Sequence, residues 1–167
     1  PWLTGVKYQK LRDIPGSKTL LIALAWGMVT AVLPPLSKFG SLHWVNVLVA
    51  LWAIGIVFVR TAFFDILDMQ GDRLVGKETI PILLGEKRSM QLLKIILIIL
   101  TATLAVLSAL HLTSSLGFAL LLCPVFIALI IAAYERAQMF PGIRLEFLLE
   151  TQFILAGMIT FVWRLFS

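Results

Sequence analysis

The feature that most constrains this chain is a series of uninterrupted apolar runs. Residues 19–36, 43–64, 89–110, 116–134 and 147–166 each form one. Each has about the 17–25 residues that a helix needs to cross a bilayer. The runs are continuous, without the apolar–polar alternation of barrel strands. Lipid offers backbone groups no hydrogen-bond partner, so only helices and closed barrels span it. The sequence therefore predicts an all-α membrane protein, a five-helix transmembrane bundle filling residues 1–167 as one unit. Its 60% hydrophobic content exceeds what a soluble domain of this length uses, which points the same way. Pro34-Pro35 is expected to stop the first helix, and Pro124 to kink the fourth.

Charge sets the orientation. The formal net charge is +5. The basic residues flank apolar spans, so they read as topology signals and not as a nucleic-acid surface. Of the 14 Lys and Arg residues, only Lys38 and Arg164 fall on one side of the bundle. The other side, which includes the connection between the second and third spans, is therefore expected in the cytoplasm. That places the chain in an inner or plasma membrane with its C-terminus outward. His43 and His111 fall on the outer side as interfacial residues. The single cysteine, Cys123, excludes an internal disulfide and reads as a buried, inert thiol. The chain begins PWLTGVKYQK, without an initiator Met or a signal peptide, and reads as part of a longer gene product.

The chemistry concentrates where the second run ends. Asp65, Asp68 and Asp72 stand at i, i+3 and i+7, one face of a helix. They lie at a helix C-terminus, where the macrodipole disfavours anions. They also repel one another near a low-dielectric medium. A cation relieves this arrangement. Arg73 and Lys77 supply part of it; Mg²⁺ fits better, since it takes one or two carboxylates together with water and phosphate oxygens. Gly71 and Gly76 are expected to let the backbone turn, and Thr79 offers a hydroxyl to a phosphate. No His-rich or Cys-rich ligand set is present, so zinc and iron fit poorly.

The string DILDMQGDRLVGKETIPILLG, from Asp65 to Gly85, resembles the second aspartate-rich motif of the UbiA superfamily of intramembrane prenyltransferases. Asp65, Asp68, Gly71, Asp72, Gly76, Thr79, Pro81 and Gly85 occupy its pattern, and Lys77 fits it. Upstream, KYQKLRDIPGSKTLLIALAWG resembles the family's segment before its fifth span, through Tyr8, Arg12, Ile14, Pro15 and Lys18. The resemblance covers essentially the whole chain as spans five to nine of a nine-helix fold. It implies Mg²⁺-dependent transfer of a prenyl group from an allylic diphosphate to an aromatic or other lipophilic acceptor within the membrane, as in quinone or prenyl-lipid biosynthesis. Asp65, Asp68 and Asp72 would hold the metal, and Arg73, Lys77, Tyr8, Arg12 and Lys18 would contact the diphosphate.

One departure stands out. The family's first motif, N-D-x-x-D-x-x-x-D, has no counterpart here, since the only Asn, Asn46, is followed by Val. The missing N-terminal half is expected in the same gene product. The alternatives are that another chain supplies it, or that this polypeptide is an inactive fragment or a membrane subunit. A phosphatidyl-type transferase also uses aspartates and magnesium, but its D-G-x-x-A-R opening is absent, as Asp65 is followed by Ile-Leu-Asp. A transport subunit predicts ionisable residues near mid-span, and the second to fourth runs carry none there. Trp26, Trp44, Trp52, Phe63 and Phe64 are available to face an allylic cation, though packing or interfacial roles are commoner for such residues. The basic stretch through Lys18 also suits anionic lipid. Glu150 either lines a cavity mouth or pairs with a neighbouring arginine, such as Arg144 or Arg136.

Overall fold

A computed structural model describes residues 15–136 and 142–166. Tyr8 and Arg12 lie outside the described residues. Those described are all-helical, without a strand, and include five helices long and apolar enough to cross a membrane: Ser17–Phe39, Trp44–Leu67, Glu86–Ala109, Leu116–Glu135 and Ile143–Phe166. Most outgrow the apolar runs at their ends. Charged residues such as Lys18, Glu86 and Glu146 continue the helices into the polar zone, where long side chains keep their heads in water.

The first span corrects an expectation. Pro34-Pro35 does not stop it. The span comprises α1 (Ser17–Gly27), a π-helical turn (Met28–Val32) and α2 (Leu33–Phe39), with the prolines at the start of α2. The prolines have no N–H to give the carbonyls of Thr30 and Ala31 and would crowd them. The backbone widens instead, and Leu33 N–H reaches the Met28 carbonyl. The span ends one turn later at Gly40, whose φ of 66° is left-handed.

The second span is α3 (Trp44–Leu67). The connection after it is more ordered than a plain loop. Asp68 breaks the helix at φ −87°, ψ 2°, and α4 (Met69–Leu74) follows at once. Helical bonding barely pauses, since Asp68 N–H donates to Phe64 O and Asp72 N–H to Asp68 O, both at 2.9 Å. Gly71 therefore lies inside α4 and makes no turn, contrary to expectation. Gly76 does turn the chain, with φ 69°. Then α5 (Ile80–Leu84), with Pro81 in its first turn, leads to Gly85. Gly85 has φ 82° and ψ 154°, a conformation open in practice only to glycine, and it starts α6 (Glu86–Ala109). The fourth span is split into α7 (Leu116–Leu120) and α8 (Leu122–Glu135), as Pro124 requires, since it cannot bond to the Leu120 carbonyl. The last span is α9 (Ile143–Phe166).

Helix α3 is the hub. Its most extensive packing is with α1, followed by α6. At the α1–α3 contact, Gly27 leaves no space for a side chain against Ile54 and the Ala50 carbonyl. Small residues drive helix association in lipid in this way, by admitting close backbone approach. The core joins Val59, Phe63 and Ile66 of α3 to Leu93 of α6, Ile127 and Ile131 of α8, and Leu145 and Leu149 of α9. Leu51, Ile98, Leu129 and Met158 point outward, a lipid-facing exterior.

Candidate active site

The acidic end of α3 is built by two helices and a loop. Thr19, buried in the first turn of α1, donates its hydroxyl to Asp65 Oδ2 at 2.5 Å. Asp65 is half-buried, and the charges of Asp72, Lys18 and Asp68 all act on it. Asp72 is buried at 8% exposure, and its Oδ1 accepts from Lys77 Nζ at 2.9 Å. That hydrogen bond, with the charges of Asp68 and Asp65 behind it, holds the Lys77 ammonium above its ordinary range. Asp68, at the joint between α3 and α4, is exposed and faces a shallow groove of about 450 Å³. The three carboxylates, Lys77 and Lys18 thus share one neighbourhood, although the one-residue joint at Asp68 divides the helix expected to carry all three. Arg73 is exposed in the last turn of α4. Thr79 Oγ1 is buried without a hydrogen-bond partner among the described residues, at the start of α5.

Asp65 and Asp72 are each engaged through one oxygen, so each retains an oxygen for other contacts. Among the described residues, no group of three or more acidic, His or Cys side chains is disposed to hold a metal ion. The donor set fits magnesium held through one or two carboxylates, with water and phosphate completing its shell, and does not fit an all-protein cage.

A charge cluster lies one helical turn deeper. Arg60 of α3 is ion-paired with Glu150 of α9, which corrects the expected partners Arg144 and Arg136. Those two belong to the neighbouring stretch of sequence; the fold brings α9 against α3 instead. The Arg60 guanidinium also rests 4.9 Å from the Phe64 ring centroid and 5.4 Å from that of Phe153, which spreads its charge over two aromatic faces. Arg60, Glu146 and Glu150 line the same groove as Asp68.

Beyond Phe153 lies a cavity of about 590 Å³ between α1, α3, α8 and α9. Trp26 stacks on Phe153 in its wall, with centroids 6.1 Å apart. Trp52 also lines it, as does Cys123, which is buried as its sequence setting suggested. Phe63 instead packs edge-on against Tyr134 at 5.5 Å in the core, and Trp44 is exposed. The sequence reading passed over Arg60 as a site residue and Gln152 altogether. A lone amide inside the last apolar run was the available signal for the latter.

A profile of the UbiA prenyltransferase family matches residues 2–141, which take in the acidic end of α3, the loop after it and the first four spans. The chain belongs to the UbiA prenyltransferase family. With its five apolar helices, it is an integral membrane protein of a family whose general activity is prenyl transfer. Neither the curated proteins nor the solved structures compared with it gave a match.

Proposed function

We propose that this UbiA-family chain carries one acidic half of a magnesium-dependent prenyl-transfer site, with the Asp65–Asp72 end on the cytoplasmic side. The carrying observation is the gathering of Asp65, Asp68, Asp72, Lys77 and Lys18 at one end of the central helix, beside a hydrophobic bundle. Anions clustered at a helix C-terminus are unfavourable unless cations and a polar substrate balance them.

The substrates would be an allylic prenyl diphosphate and a lipophilic acceptor. The allylic carbon–oxygen bond breaks, and its electron pair leaves on the diphosphate. The acceptor's nucleophilic atom bonds to that carbon, and the proton it displaces passes to solvent. Magnesium, when bound, supplies charge neutralisation for the departing diphosphate. Asp65 and Asp68, with Asp72, would hold it. The Thr19 hydroxyl fixes the Asp65 carboxylate, and Lys77 and Lys18 offset the charge that develops on the leaving group. Arg73, Tyr8 and Arg12 would complete the diphosphate contacts. The apolar walls below keep water from the allylic cation. The family's other acidic motif would come from the same gene product or from a second chain.

The test is prenyl transfer in membranes that contain both acidic motifs, in one chain or two. Asp65→Ala and Asp68→Ala should each abolish Mg²⁺-dependent turnover while leaving the protein in the membrane. Turnover at the wild-type rate in either variant rejects the assignment.

A further inference from the structure

We propose that Arg60 is a further catalytic residue, whose guanidinium donates hydrogen bonds to the phosphate oxygens beside the bond that breaks. This rests on the transfer reading above and adds to it a residue outside both the acidic string and the basic segment before α1. Arg60, Phe64 and Asp68 recur at intervals of four along α3 and line one groove of about 450 Å³. The Arg60 side chain is 19% exposed. Its pair with Glu150 is made through Nη2, while Nε is buried without a hydrogen-bond partner among the described residues. A guanidinium carries five N–H donors in a fork that matches phosphate, and one carboxylate engages only part of them. The rings of Phe64 and Phe153, 4.9 and 5.4 Å away, stand where water would otherwise surround it. Weaker screening there strengthens what the cation binds.

The position selects the role. Phe153 also lines the apolar cavity, so Arg60 stands where the groove of Asp68 gives way to hydrocarbon. A prenyl diphosphate has the same division, a charged head and a hydrocarbon tail joined by the carbon–oxygen bond that breaks. Seated with its head toward the aspartates, it has that bond at the level of Arg60. When the bond breaks, the electron pair stays on the phosphate oxygen, and negative charge grows there. Lys77 serves the other end of the head, where it is hydrogen-bonded to Asp72. Arg60 keeps its proton throughout and answers the growing charge with hydrogen bonds alone. The carboxylates of the groove leave it free to do so, since Glu150 holds one end of the fork and Glu146 is exposed to water. Arg164, also on the cavity wall, lies fourteen residues beyond Glu150, about 21 Å along α9, and is out of reach of that oxygen.

Turnover is measured in membranes that contain both acidic motifs. Binding of inorganic pyrophosphate, the departed group, is measured by calorimetry of the same protein in nanodiscs with Mg²⁺. Arg60→Gln should lower kcat about a hundredfold, the usual loss for one donor to a developing oxyanion. It should change KM for the prenyl diphosphate less than about threefold, since the charge appears only as the bond breaks. Pyrophosphate carries that charge in full and should bind the variant about tenfold more weakly. Arg60→Met combined with Glu150→Gln separates chemistry from folding. It should regain thermal midpoint lost in Arg60→Met and still show the hundredfold loss of turnover. Turnover that returns with stability, or unchanged pyrophosphate affinity in Arg60→Gln, overturns the proposal. Turnover that needs Asp65 but not Arg60 rejects this role alone. Turnover that persists in Asp65→Ala, with pyrophosphate binding still dependent on Arg60, rejects the transfer reading alone.

Discussion

Thr19 and Asp65 are 46 residues apart, yet a single hydroxyl joins them at 2.5 Å. Thr19 acts through Asp65 and is a positioning residue. Thr19→Val keeps its shape and deletes the donor, so it should raise the Mg²⁺ concentration needed for half-maximal prenyl transfer by about tenfold, the worth of one charge-assisted hydrogen bond. Thr19→Ser should restore it, which a purely steric role for the side chain would not predict. A Mg²⁺ titration of both variants checks this. Arg60 and Glu150 make a second long-range pair. Arg60→Met should lower stability by on the order of 1–2 kcal/mol in detergent melts, less than for a fully enclosed pair because the Glu150 side chain is 47% exposed. Arg60→Met combined with Glu150→Gln should be more stable than Arg60→Met alone, since the carboxylate that lost its partner is then neutral. The aspartates were legible in the sequence because anions at the end of an apolar run are chemically anomalous. Thr19 and Arg60 were not, because each takes its meaning from a residue brought near only when the helices pack, whereas Gln152 showed as a lone amide in an apolar run.

At the scale of elements, apolar runs marked the helix centres closely and the ends loosely. Hydropathy records where lipid is, while the hydrogen-bonded ladder continues as far as the backbone allows. The prolines show the limit of local rules. Pro34-Pro35 was expected to end a helix, yet one widened turn absorbs both, and the helix resumes. Pro124 behaved as expected, because the break before α8 settles its missing bond. The π turn carries one extra residue, so its conversion to α-helix would rotate α2 by roughly 100° relative to α1. Pro34→Ala with Pro35→Ala supplies the missing N–H groups and should cause that rotation. A spin label at Ser37, now exposed, should then change its accessibility to oxygen dissolved in lipid. An unchanged accessibility profile would mean that packing against α3, and not the prolines, holds the wide turn open.

For the whole molecule, fold class followed directly from five uninterrupted apolar runs. How the spans pack on one another did not, since lipid-facing and core-facing residues are equally apolar. Orientation rests on the basic residues beside the acidic loop. In a Cys123→Ala background, Ser114→Cys should react with a membrane-impermeant maleimide added outside intact cells, and Glu78→Cys only after the membrane is opened. The reverse pattern would invert the protein. The Phe153 ring has a consequence at this scale. It stacks on Trp26 of α1 and lies 5.4 Å from the Arg60 guanidinium of α3. This side chain of α9 therefore touches two other spans at once. A single ring thus pins the last span of the chain to both the first and the second.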